Sequence, residues 1–285
     1  KKQLKMSKSN DGINWSATTL IIDSLVFENY LYDLATYKTN SGKIIVAYKS
    51  NGQRFIITSI DNGDTWSNSK PFIDGANGKF SQTDDNKLWY GYNSVQFLDY
   101  VTSDDDGVTW SEKTRMPIYA RHLTALSVNT SLMLFYSASG TIFGKFSEDG
   151  GNTWFITRIL DDSNIYSEPS VVKKNDSTLV LIYLMENNTT IGDYYFIESS
   201  DAGLSWGTPK QFTKYIGSDS HLSINSNSQK FYASFSSDRD FHENNFITKE
   251  RPYALWYGIV GTSEDVFTPP EILNIEHTLA TPTSL

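Results

Sequence analysis

The chain has 285 residues, 39% hydrophobic and 14% aromatic, which suits one sizeable domain. It contains no cysteine, so disulfides, cysteine nucleophiles and thiolate metal sites are excluded. The net charge is −9 with acids and bases dispersed, which argues against a nucleic-acid surface and its basic stripe and lends no particular support to an anionic substrate.

Strand-like runs separated by Gly, Asn, Asp and Ser turns fill the chain from one end to the other. No apolar run is long enough to span a bilayer. The opening residues (KKQLKMSKSNDG) carry no signal-peptide core, and they start inside a repeat unit, so upstream residues are expected to have been removed or to belong to another domain. Residues 1–22 read as two outer strands, with the octet 8–15 (KSNDGINW) between them. The first full unit covers 30–72, with strands at 33–38, 43–49 and 54–59. It then has the octet 59–66 (SIDNGDTW) and a stretch that pairs back after Trp66. The second unit, 78–117, has the octet 103–110 (SDDDGVTW) after the run 98–103. The third, 118–160, has strands at 122–128 and 132–136 and the octet 147–154 (SEDGGNTW). The fourth, 165–212, has strands at 169–173 and 178–184 and the octet 199–206 (SSDAGLSW). The fifth, 216–273, has strands at 221–225, 230–235 and 253–259. Its outer turn near 262–270 lacks the Asp and Gly and offers Phe267 in the place of Trp. Residues 274–285 read as a closing strand or as the start of a linker to another domain.

Four octets share Ser at the first place, Asp at the third, Gly at the fifth, a hydroxyl residue at the seventh and Trp at the eighth. Each joins two strands as a hairpin turn. The Asp carboxylate accepts backbone N–H groups within its own turn, and Gly supplies a positive φ. The ring of Trp is expected to pack between neighbouring sheets. The octet tryptophans, from Trp15 onward, are spaced 51, 44, 44 and 52 residues apart, the length of one four-stranded propeller blade. The same Asp recurs in every unit, so Asp61, Asp105, Asp149 and Asp201, with Trp66, Trp110, Trp154 and Trp206, read as structural residues.

The octet resembles the Asp box of sialidases and related BNR-repeat proteins, and the resemblance covers nearly the whole chain. It implies an all-β, six-bladed β-propeller of four-stranded antiparallel blades, with the Asp-box turns on the face opposite the active site. Residues 1–285 then form a single domain in which 1–22 supply the outer strands of a shared closing blade. Sialidases also carry an Arg-Ile-Pro motif on the first inner strand. Here that stretch reads YLYDLA (30–35), with no arginine, so a classical sialidase activity is not expected.

In such a ring the beginnings of the inner strands, and the loops joining second to third strands, converge on the central channel. The candidates there are Asp33, Arg54, Arg121 with His122, Glu168, and Asp219 with His221. The long segment 236–252 adds Arg239 and Arg251. Paired carboxylates suit glycoside hydrolysis and arginines suit a sugar carboxylate. By blade position Glu168 resembles the sialidase glutamate that supports a tyrosine nucleophile. Glu168, Asp219 and His221 are therefore the catalytic candidates. Asp33, Arg54, Arg121, His122, Arg239 and Arg251 are the ligand-binding ones. No pair of histidines has metal-ligand spacing, so neither a metal nor another cofactor is expected.

The sequence thus reads as a secreted or cell-surface propeller that recognises a glycan or polysaccharide at its central face, with glycoside hydrolase-like or polysaccharide lyase-like cleavage as one form of that function. The alternative is a non-catalytic scaffold of a larger surface protein, binding a protein partner. Neither nucleic acid nor a membrane span enters either reading.

Overall fold

The computed structural model describes residues 2–10, 16–25, 34–73, 76–94, 97–160, 165–175, 177–187, 190–213, 219–226, 231–237 and 254–260. All regular structure within them is β, in sheets of sequence-adjacent antiparallel strands. An N-terminal pair, β1 (Lys2–Met6) and β2 (Thr19–Leu25), stands first. The first four-stranded sheet is β3 (Leu34–Lys38), β4 (Ile44–Ser50), β5 (Gln53–Ser59) and β6 (Lys70–Pro71). The second is β7 (Ala76–Gln82), β8 (Leu88–Ser94), β9 (Phe97–Ser103) and β10 (Thr114–Met116). The third is β11 (Arg121–Val128), β12 (Ser131–Ala138), β13 (Thr141–Ser147) and β14 (Phe155–Leu160). The fourth is β15 (Ile165–Lys173), β16 (Leu179–Asn187), β17 (Thr190–Ser199) and β18 (Lys210–Gln211). A fifth has three described strands, β19 (Asp219–Ser226), β20 (Phe231–Ser237) and β21 (Ala254–Val260).

Central strands bury both faces, which is why they read as unbroken apolar runs rather than as alternation. In β8, Leu88, Tyr90 and Tyr92 pack toward the first sheet while Trp89 packs toward the third. In β16, Val180, Ile182 and Leu184 face the fifth sheet, and Leu179, Leu181 and Tyr183 face the third. The N-terminal pair joins the series through Leu25, which packs with Val46, Tyr48 and Ile57. Each sheet is therefore glued to its neighbour in chain order by one apolar layer.

The four octet turns share one bonding pattern. The leading Ser hydroxyl donates to an oxygen of the Asp two places on, at 2.7 Å in the first two turns and 2.8 Å in the last two. The same hydroxyl oxygen accepts the amide of the Gly, at 2.7–2.9 Å. The Asp carboxylate accepts both the amide and the hydroxyl of Thr65, Thr109, Thr153 or Ser205. Gly107 and Gly203 adopt φ of +80° and +89°. A Cβ at either would press on the preceding sheet, Ile45 in one case and Phe146 in the other. The tryptophans are half-buried rather than fully enclosed, because each lies over the edge of the layer shared with the preceding sheet. Trp206, for example, stands edge-on to Phe135 with ring centroids 5.7 Å apart. Lys43 of the first sheet adds an ion pair to Asp106 in the second octet, at 3.1 Å.

Two outcomes follow. Trp206→Ala should cost about 2–3 kcal/mol, below the range for a fully enclosed ring, read as a lower urea midpoint. The hydroxyl and amide donors of Thr109, Thr153 and Ser205 pull Asp105, Asp149 and Asp201 down to about 2, and Thr65 takes Asp61 lower still. In the unfolded chain these groups titrate at about 3.9. Depressed folded values stabilise the fold above that pH, and the contribution is lost as pH falls from about 4 toward 2. Urea midpoints measured across that window should fall steeply, and less steeply in Asp149→Asn.

Candidate functional site

The octet turns follow the third strand of each sheet. The inner strands begin at the opposite end, as the pairing of Leu34 with Tyr48 and of Tyr48 with Phe55 shows in the first sheet. Near that end four inner strands lose register once. The shifts fall between Ala76 and Lys79, Arg121 and Leu123, Ser167 and Ser170, and Ser220 and Ser223. A bulge takes a side chain out of the two-residue alternation and re-aims it. His122 and Glu168 occupy two of these bulges at φ of +39° and +48°. Non-glycine residues in that region carry strain of about 1–3 kcal/mol each, which the surrounding structure must hold. In the β7 bulge the corresponding stretch contains Gly78, where a Cβ would lie 1.9 Å from the Tyr90 hydroxyl oxygen.

Glu168 was expected at a strand start. Instead β15 begins three residues earlier, because pairing resumes beyond the bulge as far as Ile165 with Glu186. Glu168 is partly exposed, and the Tyr194 hydroxyl donates to its Oε2 at 2.7 Å. The same phenol oxygen accepts the Leu222 amide at 3.1 Å. Tyr194 is wholly buried on β17 and packs edge-on against Phe235, ring centroids 5.9 Å apart. One phenol therefore ties the carboxylate of the fourth sheet to the backbone of the fifth, beside the bulge that contains His221.

His122 is exposed, with its Nδ1 3.2 Å from Ser137 Oγ, and that hydroxyl donates to the Arg121 carbonyl at 3.3 Å. Arg121 is also exposed, its guanidinium 5.9 Å above the Tyr119 ring. Arg54 departs from expectation. It was expected at the start of a strand and open to a ligand, but Lys49 pairs with Arg54 and Ser50 with Gln53, leaving only a two-residue turn. Asn51 and Gly52 make that turn with φ of +51° and +73°, and Arg54 lies within β5 at 1% exposure. Asp219 and His221 lie on β19, where only the backbone is described. Asp33, Arg239 and Arg251, with Phe267 and residues 274–285, lie outside the described residues. Among the described residues no group of three His, Cys, Asp or Glu could hold a metal.

The structure also reveals a set that sequence reasoning passed over. A cross-strand aromatic pair recurs in three sheets: Tyr48 with Phe55, Tyr136 with Phe143 and Tyr183 with Tyr195, all near-parallel. In the second sheet the equivalent rung is Tyr92, Asp99 and Arg115. Asp99 is 0% exposed and receives Arg115 Nε at 3.0 Å and a second guanidinium nitrogen at 3.3 Å, with Lys113 at 3.6 Å. Burial pushes this carboxyl up, but bonds from Arg115 and Ser94 and the two cations outweigh it, leaving Asp99 below the ordinary range. Aligning the units on the octet serine would have exposed the substitution, since Phe55, Asp99 and Phe143 all stand four places before it.

No protein-family model matches the sequence, and no curated protein sequence does. Solved structures match instead. The NanB sialidase of Streptococcus pneumoniae aligns with TM-score 0.57 at 12% identity, over 85% of this chain and 60% of that one. An α-L-arabinofuranosidase of Fusarium graminearum aligns with TM-score 0.57 at 12% identity, over 85% and 83%. An ulvan lyase of polysaccharide lyase family PL25 aligns with TM-score 0.59 at 11% identity, over 82% and 72%. The chain has a sialidase-like β-propeller fold. This propeller spans about 60% of the length of the sialidase it matches. At such identities the likeness carries the fold alone.

Tyr194→Phe removes the hydroxyl that joins Glu168 to the Leu222 amide. The cost should be about 1 kcal/mol, because a part-buried amide loses its acceptor and the carboxylate its donor. Urea unfolding of the variant checks it.

Proposed function

We propose that the chain is a six-bladed propeller that binds a glycan at its central face. Here β1 and β2 are the outer strands of the closing blade, and the octets are Asp boxes on the opposite face. The observation that carries this is the bulging of successive inner strands at one level, which brings His122 and Glu168 forward at a strained backbone with the carboxylate held by a buried phenol. Strain of this kind concentrates at binding and catalytic sites. The architecture shared with carbohydrate-active propellers supports a sugar as the ligand.

On this reading Glu168, with Asp219 and His221 from the next blade, forms the acid/base group of a glycoside hydrolase-like or lyase-like reaction. Arg121 and His122 bind the sugar, together with Asp33, Arg239 and Arg251. Arg54, being buried, serves the wall behind them. The lack of an arginine at 30–35 argues against a classical sialidase. An acidic, cysteine-free chain with this architecture suits a secreted or cell-surface protein.

A glycan array run beside a panel of chromogenic glycosides tests the reading. Retention or cleavage of one sugar class is expected. Glu168→Gln should abolish turnover while the far-ultraviolet circular dichroism stays unchanged. Blanks in both assays would overturn the reading in favour of a scaffold that binds protein.

A further inference from the structure

Asp and Glu number 33 in the whole chain, yet none falls in residues 113–147, where Lys113, Arg115, Arg121 and Lys145 do. The fold turns part of this stretch into a surface path. β10 pairs antiparallel with β9, Thr114 opposite Tyr100 and Met116 opposite Leu98, so it runs toward the end where the inner strands start. The next strand, β11, begins at that same end, on the inside of the third blade. Residues 117–120 therefore cross the central face from the rim to the channel. The Leu98 amide pins them by donating to the Ile118 carbonyl at 3.1 Å. Met116 and Ala120 point inward, while Lys113, Arg115, Tyr119, Arg121 and His122 are exposed.

The rim end of this path is built rather than incidental. Asp99 replaces the aromatic residue of the other blades and grips Arg115 through two bonds, and the guanidinium lies 4.6 Å from the Phe97 ring centroid. A forked contact of this kind fixes a long side chain that would otherwise wander. The carboxylate itself is wholly buried, so its oxygens are out of reach of a ligand, and paired with Arg115 and Lys113 it leaves the rim cluster with a net positive charge. What meets the ligand is a line of cations interrupted by the Tyr119 ring, which suits a sugar face.

We propose that this path is a binding track for an extended anionic polysaccharide bearing sulfate or carboxylate groups, running from Lys113 and Arg115 at the rim to Arg121 beside the channel. It goes beyond the central site, because its outer half binds whether or not Glu168 is catalytic. From Arg115 to Arg121 the backbone reaches at most about 20 Å, enough for several sugar rings.

The test uses the full chain against heparin, polygalacturonate, neutral dextran and single-stranded DNA at neutral pH, titrating sodium chloride upward from about 20 mM, where screening is weak. Binding to heparin or polygalacturonate, and not to dextran, is expected despite the net charge of −9. Heparin carries sulfates and carboxylates and polygalacturonate carboxylates alone, so retention of heparin without polygalacturonate assigns the track to sulfate, and retention of polygalacturonate assigns it to carboxylate. Lys113→Gln combined with Asp99→Asn and Arg115→Gln should weaken binding at least tenfold. It should also lower the slope of log K against log salt by about one per cation removed. Changing Asp99 together with Arg115 avoids stranding a buried charge. Lys210→Gln, on the outer strand of another blade, should change nothing. Binding of small neutral glycans at the centre should survive the rim variants, so failure of the track and failure of the central site read out separately. No retention on either polyanion, an unchanged affinity in the folded rim variant, or equal binding to DNA would overturn the proposal.

Discussion

The bond network of the octet turn is the constraint on which the rest of the structure depends. One serine hydroxyl and one aspartate carboxylate bond the turn's own amides, so the chain reverses tightly. The glycine then brings backbone close to the preceding sheet, and the tryptophan lays its ring on the layer between them. A turn that bonds its own amides and is apolar on one side does two jobs at once. It closes one sheet and docks it on another, and repetition of that single device sets the order of the units. Backbone polar groups at such reversals would otherwise need water or side chains from elsewhere.

Because the scaffold is fixed at the octet end, the other end is free to vary. The inner strands depart from regular pairing only there, and each departure falls at the same height. Strain at His122 and Glu168 is tolerable because the strands beyond the bulges resume register and the apolar layers on both faces hold them. Tyr194 shows how closely site and scaffold are joined, since a wholly buried core residue uses its one polar atom to position a surface carboxylate.

The rung containing Asp99 makes the same point at the rim. Three blades spend that position on aromatic stacking, and the second spends it on a buried ion pair. A buried pair of this kind is a weak source of stability against an apolar alternative. Its consequence is directional, holding one guanidinium in place at the rim.

The sequence by itself determined the repeat, the turn chemistry and most strand positions, because octet and strand signals are local and period-two patterning needs no tertiary information. It also located β1 and β2 as a pair flanking the octet at 8–15. Only the tertiary structure decided that Glu168 lies inside a bulge, that Arg54 is interior, and that Asp99 faces Arg115. Each of these depends on register between strands, and a shift of one residue moves a side chain to the other face without changing the sequence pattern. The bond from Tyr194 joins residues 26 apart to an amide on another sheet, and no local signal encodes such a meeting. Charge shows the same division. Composition fixed the total, but the path of residues 117–120 across one face decided where the cations stand together.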